Sequence, residues 1–198
     1  MSTDDQIDRA AIATAVGPGL GERVADGTAD LSPVPVPGLG DAVVWRVEDA
    51  MSDHPLAVYV GVWPDGVVRV LTDDQPAFFG LVHAVGVDLA DPDTVLGYVR
   101  GFLEVTRGAS VIVRVVSDLG DIRWRPGSPQ EEAHREAFVA DSPIGPPGVE
   151  ATEDGFHVEL YLVVDQRIQL NTFDVARDGS IAASYRVLAE DLPLPIAR

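Results

Sequence analysis

Three consecutive residues, Arg123, Trp124 and Arg125, have the types in this sequence that are best suited to binding chemistry. They place two cations around an aromatic ring in a chain that has 32 acidic and 14 basic residues. Arg and Trp are enriched among the residues that dominate binding energy at protein interfaces, and a guanidinium group matches the geometry of a carboxylate. We predict that they bind a carboxylate, an anionic ligand or a partner protein. The alternative is an edge strand in which Trp124 covers the core and both arginines pair with nearby acids.

Arg114 is the fourth predicted binding residue, because it interrupts the apolar segment "SVIVRVVS" (110–117). The length and the β-branched residues of that segment predict an interior strand. A lone buried guanidinium is too costly, so Arg114 must face solvent, pair with an acid or line a cavity.

Groups for covalent catalysis are scarce in this chain. It has no Cys, which excludes a thiolate nucleophile and Cys-ligated metals. All 14 basic residues are Arg, and the absence of Lys excludes a phosphate-loop lysine, a Schiff base and a Ser-x-x-Lys pair. No Ser lies in a Gly-x-Ser-x-Gly motif. The sequence therefore predicts no catalytic residue and no cofactor.

Metal-binding patterns are weak as well. Asp88, Asp91 and Asp93 could supply oxygen ligands for a hard cation, but Asp91 also suits the cap of a following helix. We predict no metal site, because the His residues also lack local metal spacing and favour structural or exposed roles; they are His54, His83, His134 and His157.

The pattern of residues predicts an N-terminal segment and one domain. Residues 1–40 read as a helix at 4–16, with Thr3 and Gln6 spaced as a capping box, followed by a Pro- and Gly-rich arm. Residues 41–198 read as a single domain. Its predicted strands are 42–48, the hairpin 56–72, 110–117 and the meander 155–188; its predicted helices are 74–85, 92–107 and 128–138.

Strands that bracket a helical centre indicate an α+β fold. We predict a curved, mostly antiparallel sheet of about five to seven strands, with the main helix (about 92–107) packed on one face. In outline this resembles a cystatin-like or NTF2-like roll. The likeness is one of architecture, not of residues, and it assigns no family. We expect a site on the irregular segment 118–148 or at the mouth of the sheet, with the meander as its support.

We predict a non-catalytic, cytoplasmic protein-binding domain of the immunity, inhibitor or accessory-subunit type, with another protein as its partner. A net charge of −18 opposes nucleic acids and anionic membranes, although genome composition or a salty cytoplasm also produces such acidity. The N-terminus lacks the features of a secretory signal, and no apolar run reaches the about 18 residues of a membrane span. The sequence does not indicate an oligomeric state.

The alternative is a small-molecule enzyme or carrier whose roll encloses a pocket. Glu104 lies near the apolar stripe of the main helix, where a carboxyl group could act as a general base. His157 and Arg114 are the other polar residues that such a pocket would require to point inward. A deep pocket lined by these groups would favour this alternative over the protein-binding domain.

Overall fold

The computed structural model describes residues 8–40, 42–49, 57–109 and 111–195. Within these residues the chain is an α+β protein with helices and strands in nearly equal proportion. The helices are α1 (Arg9–Val16), α2 (Leu20–Asp26), α3 (Gln75–Val85), α4 (Pro92–Thr106) and α5 (Pro129–Ala140). The strands are β1 (Asp30–Pro33), β2 (Val43–Glu48), β3 (Ala57–Val62), β4 (Val68–Val70), β5 (Val113–Val116), β6 (Gly148–Ala151), β7 (Gly155–Val164), β8 (Arg167–Ala176) and β9 (Ile181–Ala189).

The strands form two antiparallel sheets. The first has four strands in the order β1-β2-β3-β4; the second has five, in the order β5-β7-β8-β9 with β6 also paired to β7. The predicted α+β class and antiparallel pairing are confirmed. The strands are divided between two sheets where one was predicted. Alternating apolar residues identify a strand, but they do not specify its partner.

The described residues belong to two compact units. Unit 1 contains those within 1–88 and 101–109, and unit 2 contains those within 89–100 and 110–198. The predicted boundary at residue 40 does not coincide with this division, because α1, α2 and β1 belong to unit 1 together with β2, β3 and β4. The predicted main helix is present as α4, which begins in unit 2 and ends in unit 1.

The core of unit 1 joins the first two helices to the first sheet. Ile12 of α1 and Val24 of α2 are buried in one cluster with Trp45, Val47 and Val60 of β2 and β3. This packing gives the short, Ala-rich helix α1 most of its stability, since isolated helices of this length are marginal in water.

The start predicted for the first helix cannot be compared with the structure. The capping box predicted from Thr3 and Gln6 lies outside the described residues. The described helix α1 begins after Asp8, whose Oδ1 accepts a hydrogen bond from the Ala11 amide at 3.0 Å.

The predicted cap of α3 is confirmed. Asp74 accepts a hydrogen bond from the Ala77 amide at 2.9 Å, as an N-cap residue does. The apolar stripe that follows is buried through Phe78, Leu81 and Val82. Helix α3 is therefore oriented by its sequence pattern and fixed at its start by one side chain.

The second sheet is built on the long meander β7-β8-β9, which the sequence predicted. Alternate residues of β7 lie on opposite faces: Val158, Leu160 and Leu162 are buried on one, which we call the Leu160 face. His157 and Glu159 lie on the other, which we call the His157 face. The sequence predicts the two turns of this meander, at Asp165-Gln166 and at "RDG" (177–179). Both are present, with φ of 52° at Asp165 and 85° at Gly179.

One end of the His157 face is covered by segment 118–148 and by the C-terminal segment. The covering segments and the sheet form a hydrophobic cluster there. Its buried residues are Val116, Ile122, Val163, Ile168, Leu192 and Leu194. The predicted cap and first-turn proline of α5 are also confirmed, with Ser128 and Glu131 forming a capping box. The other end of the His157 face carries polar side chains.

Candidate functional site

Arg125 ties together the covered end of unit 2. Its backbone N–H donates to the Pro193 carbonyl at 2.8 Å, and its Nε donates to the Leu194 carbonyl at 3.0 Å. Its Nη2 donates to Glu131 of α5 at 2.5 Å. Arg125 therefore has the contacts of the alternative interpretation, in which an arginine of this segment pairs with a nearby acid.

Trp124 and Arg123 differ from each other in exposure. Trp124 is half-buried and packs against the cluster on the His157 face. Arg135 of α5 lies over its ring, with Cζ 5.8 Å from the ring centroid, which is the geometry of a cation–π contact. Arg123 is exposed. Of the three residues, Arg123 is exposed and the other two are half-buried. Binding by this segment remains a prediction.

Replacing Arg125 tests whether it has a structural role that the exposed Arg123 lacks. We expect Arg125→Ala to lower the free energy of unfolding by about 1–3 kcal/mol, because the Leu194 carbonyl, which belongs to a buried residue, loses its donor. The matched control Arg123→Ala removes an exposed arginine two residues away and is expected to change stability by less than about 0.5 kcal/mol. Chemical denaturation measures both values. Equal losses in the two variants would refute the structural role of Arg125.

Arg114 lies on β5 in unit 2. It is half-buried, and its register partner on β7 is Val163, which places it on the His157 face. His157 lies on the same face, but it is the partner of Glu150 and Asp174, near the other end of β7. The sequence prediction had placed Arg114 and His157 around one pocket; here they lie at separate places on one face.

Glu104 belongs to unit 1 and is already engaged. The Tyr59 hydroxyl donates a hydrogen bond to Glu104 Oε1, and Arg107 Nε lies 3.4 Å from Glu104 Oε2. Burial of the phenol, followed by this hydrogen bond to the carboxylate, raises the pKa of Tyr59. Arg107 Cζ also lies 5.7 Å from the Tyr59 ring centroid. The arrangement is that of a structural ion pair capped by a tyrosine.

His157 lies at the polar end of the His157 face. Its Nδ1 is 2.7 Å from Asp174 Oδ1 on β8, and its Nε2 is 4.0 Å from Glu159 Oε1. The hydrogen bond with Asp174 raises the pKa of His157 against the opposing effect of burial, and the charges of Asp174, Glu159 and Glu150 raise it further. The site therefore holds a proton on the imidazole at a pH where an ordinary histidine has lost it.

The raised pKa has a defined sign for stability. The pKa of His157 is higher in the folded protein than the unfolded value of about 6.5. Protonated His157 therefore adds to the free energy of unfolding. This stabilisation is fully present below the unfolded pKa and is lost as pH rises through the folded pKa.

We expect Asp174→Asn to lower the pKa of His157 toward its ordinary range. Glu159→Gln is expected to lower it less, because that carboxylate is farther away. NMR titration of the histidine rings measures these pKa values, and an unchanged pKa in Asp174→Asn would contradict the assignment.

Strand β9 is the longest edge strand among the described strands. It runs for nine residues, Ile181–Ala189, and it ends the second sheet. The residues 182–187 are all exposed. The other described edge strands have three or four residues each, and β1 also ends in Pro33. Short length and proline are two devices that protect a sheet edge from pairing, and β9 has neither of them. It does have one exposed charge, Arg186, and a register shift near its end, opposite Ile168 and Gln169.

The backbone groups of β9 alternate in direction. The Ala176 amide donates to the Ser180 carbonyl at 2.9 Å, so the pair that closes the turn is hydrogen-bonded. In an antiparallel ladder, hydrogen-bonded and non-bonded pairs alternate. Residues 182, 184 and 186 therefore direct their amides and carbonyls to β8. Ala183, Tyr185 and Val187 direct theirs outward to the free edge.

The side chains of the free edge are apolar on the Leu160 face. Tyr185 is 63% exposed and Val187 is 39% exposed. Tyr185 lies directly across from Asn171 on β8, and Asn171 Nδ2 is a buried nitrogen that has no hydrogen-bond partner.

A surface groove lies at the end of the second sheet where β7 begins and β8 ends. Its volume is about 430 Å³, and its lining includes Phe156, Val175 and Ile181 together with Asp154 and Asp174. Apolar walls with acidic groups suit a ligand that has an apolar body and a cationic group. Glu104, His157 and Arg114 do not line this groove.

The described residues were also compared with the requirements for metal and membrane sites. Among them, no three His, Asp or Glu side chains are grouped so that they could hold a metal ion. Asp91 accepts hydrogen bonds from the Thr94 amide and hydroxyl, as a helix cap does. His83 and His134 are exposed, and His54 lies outside the described residues. None of the described helices has the length and apolar character needed to cross a membrane.

Comparison with known proteins gives no relative from which a role could be transferred. No protein-family model matches the chain, and neither a curated protein nor a solved structure matches it. Function must therefore be argued from the site itself.

The sequence prediction assigned β9 to the supporting meander and gave it no binding role. The segment "GSIAASYRVLA" (179–189) has no acidic residue, but stretches such as 75–87 and 105–117 have none either. What distinguishes β9 is the exposure of residues 182–187 at the end of the sheet.

Proposed function

We propose that this protein is a non-catalytic protein-binding domain of the immunity, inhibitor or accessory-subunit type, and that it binds by adding a strand to the free edge of β9. In this mode main-chain hydrogen bonds supply affinity and alternate side chains supply specificity. The observation that carries the proposal is the long and exposed edge of β9.

The chemistry of the edge defines the segment that would bind. The outward amides and carbonyls of Ala183, Tyr185 and Val187 match an extended backbone. Their side chains on the Leu160 face are apolar, so the incoming segment would place apolar residues at alternate positions. The net charge of −18 would speed association with a basic partner.

Co-purification from the native host tests the proposal with a variant designed for the edge. Ala183→Pro removes one outward N–H and leaves the bonds between β8 and β9 in place, because proline is tolerated where the edge N–H faces solvent. We expect a partner that binds wild-type protein to be lost with Ala183→Pro. The partner should be retained with Val139→Asp, which changes an exposed residue of α5.

The same co-purification experiment shows whether the partner binds at β9 or at Arg123, which lies on the segment predicted from the sequence. Arg123→Ala is expected to retain the partner. Loss of the partner in Arg123→Ala, with retention in Ala183→Pro, would transfer the binding site to Arg123 and overturn the proposal. Thermal unfolding of each variant confirms that the compared proteins are folded.

A small-molecule carrier or enzyme is the second candidate, and the groove beside Asp154 and Asp174 is the observation that favours it. Such a protein would bind amines with an apolar body. Thermal unfolding in the presence of alkyl and aryl amines tests this function. A shift that disappears in Asp154→Asn would support it, and equal shifts in both proteins would refute it.

A further inference from the structure

We infer that a second copy of this chain occupies the edge of β9, in an antiparallel pair whose two-fold axis passes beside Tyr185. This inference rests on the strand addition proposed above and goes beyond it, because it names a second copy as the strand that occupies the edge when no partner protein is bound. A closed two-fold pair buries the same strand of both copies, so the free edge of each copy becomes part of a sheet that is continuous across the pair.

The backbone of β9 is suited to pairing with itself. With Tyr185 opposite Tyr185 of the second copy, Ala183 lies opposite Val187 of that copy, and all of these residues direct their amides and carbonyls outward. Each such pair exchanges both hydrogen bonds, as hydrogen-bonded pairs do in an antiparallel ladder. No outward group in this stretch is left without a partner.

The side chains favour this register over its neighbours. The Tyr185 rings of the two copies lie side by side on the Leu160 face, and aromatic cross-strand pairs are stabilising. On the His157 face, Arg186 lies opposite Ser184 of the second copy. An axis at Arg186 would instead place two arginines opposite each other, and an axis at Ser184 would pair each Tyr185 with Ala183. Like charges directly opposite each other are destabilising. The register with Tyr185 on the axis avoids that arginine pair on the His157 face and keeps the aromatic pair on the Leu160 face.

The net charge of the chain makes the strength of the dimer depend on the salt concentration. Each copy has a net charge of −18, so two copies repel, whereas the paired strands themselves have no acidic residue between Gly179 and Ala189. Salt screens this repulsion: the Debye length falls from about 30 Å at 0.01 M to about 10 Å at 0.1 M salt. We therefore expect a weak dimer that dissociates on dilution and strengthens several-fold over that range of salt.

Site-specific disulfides test the pair and its register. The chain has no Cys, so a single introduced cysteine reports one contact. We expect Tyr185→Cys to form a disulfide-linked dimer under mild oxidation at least about ten-fold faster than Val139→Cys, the control at an exposed site on α5, since hydrogen-bonded pairs bring Cα atoms to about 5.5 Å. Equal rates would overturn the inference.

A mixing experiment fixes the register independently of Tyr185. An equal mixture of Ser184→Cys and Arg186→Cys chains should form the mixed disulfide faster than either chain links to itself. Faster self-linking of Ser184→Cys would place the axis at that residue and overturn the register inferred here. Both variants change exposed side chains, so they are expected to fold.

Sedimentation of the unmodified chain separates the two proposals. A concentration-dependent dimer that is lost in Ala183→Pro supports self-pairing. A monomer at all concentrations and salt levels, together with a partner whose co-purification depends on Ala183, would overturn self-pairing and leave strand addition standing. A dimer that is unchanged in Ala183→Pro would overturn the inference as well.

Discussion

Gly155→Ala is expected to lower the stability of unit 2 by about 3 kcal/mol, the upper part of the range for forcing atoms into a packed site. A Cβ atom at Gly155 would lie 2.0 Å from the Val175 carbonyl oxygen and 3.0 Å from Ala176 Cα. Gly155 is the first residue of β7 and the register partner of Ala176 on β8. Because the opposing atoms are backbone, no side-chain rotation can relieve the contact, and β7 must move away from β8.

Gly148→Ala is the matched control for this substitution. Gly148 begins β6 in the same sheet, and a Cβ atom there would meet only Glu159 Cβ, at 4.0 Å, which is an ordinary contact. We expect a change of less than about 0.5 kcal/mol. Chemical denaturation of both variants measures the difference. A Gly155→Ala protein as stable as Gly148→Ala would contradict the close approach of β7 and β8.

Phe78→Ala is expected to lower the stability of unit 1 by about 3–5 kcal/mol, the usual loss when a buried phenylalanine leaves a cavity. Phe78 has no exposed surface. Its ring packs edge-on against Phe102 at a centroid distance of 5.3 Å and against Phe79 at 5.7 Å. The loss combines the apolar area of the ring with these aromatic contacts, each worth about 0.5–1.5 kcal/mol beyond area.

Two controls define the origin of this loss. Phe78→Leu keeps most of the buried volume, so it should cost clearly less than Phe78→Ala. Val43→Ala removes methyl groups from a residue that is 39% exposed on β2, and it should change stability by less than about 1 kcal/mol. Thermal and chemical unfolding measure the series. Equal losses for all three variants would show that Phe78 is not a core residue.

Much of the fold could be predicted from local patterns. The meander 155–188 was predictable because residues such as Val158, Leu160 and Leu162 alternate with polar ones over a whole strand. The caps Asp74 and Ser128 were predictable because each is followed by a proline in the first helical turn. Such signals depend only on residues close in sequence, and the structure confirms these elements.

Pairing between distant segments could not be predicted in the same way. Nothing in "VVRVLT" (67–72) or "SVIVRVVS" (110–117) states that the first pairs with β3 and the second with β7. Both are short, apolar and β-branched, so both fit a single sheet equally well. The division into two sheets depends on long-range packing, which a single sequence does not display.

The candidate site also depends on contacts between distant segments, which the sequence does not display. Arg125 was selected for its type, but its role is set by the carbonyls of Pro193 and Leu194, about seventy residues away in the chain. Conversely, β9 has ordinary residues, and what distinguishes it is its place at the end of a sheet. An edge is a property of topology, so residue types alone do not reveal it.

Hydrogen exchange of the β9 amides tests strand addition at this edge most directly. In dilute protein, the amides of Ala183, Tyr185 and Val187 should exchange rapidly, while those of residues 182, 184 and 186 should be protected by β8. When a second copy or a partner segment binds, we expect the first set to slow by about ten-fold or more and the second set to change little. Outward amides that exchange at the same rate in dilute, concentrated and partner-bound protein would contradict the proposed role of β9.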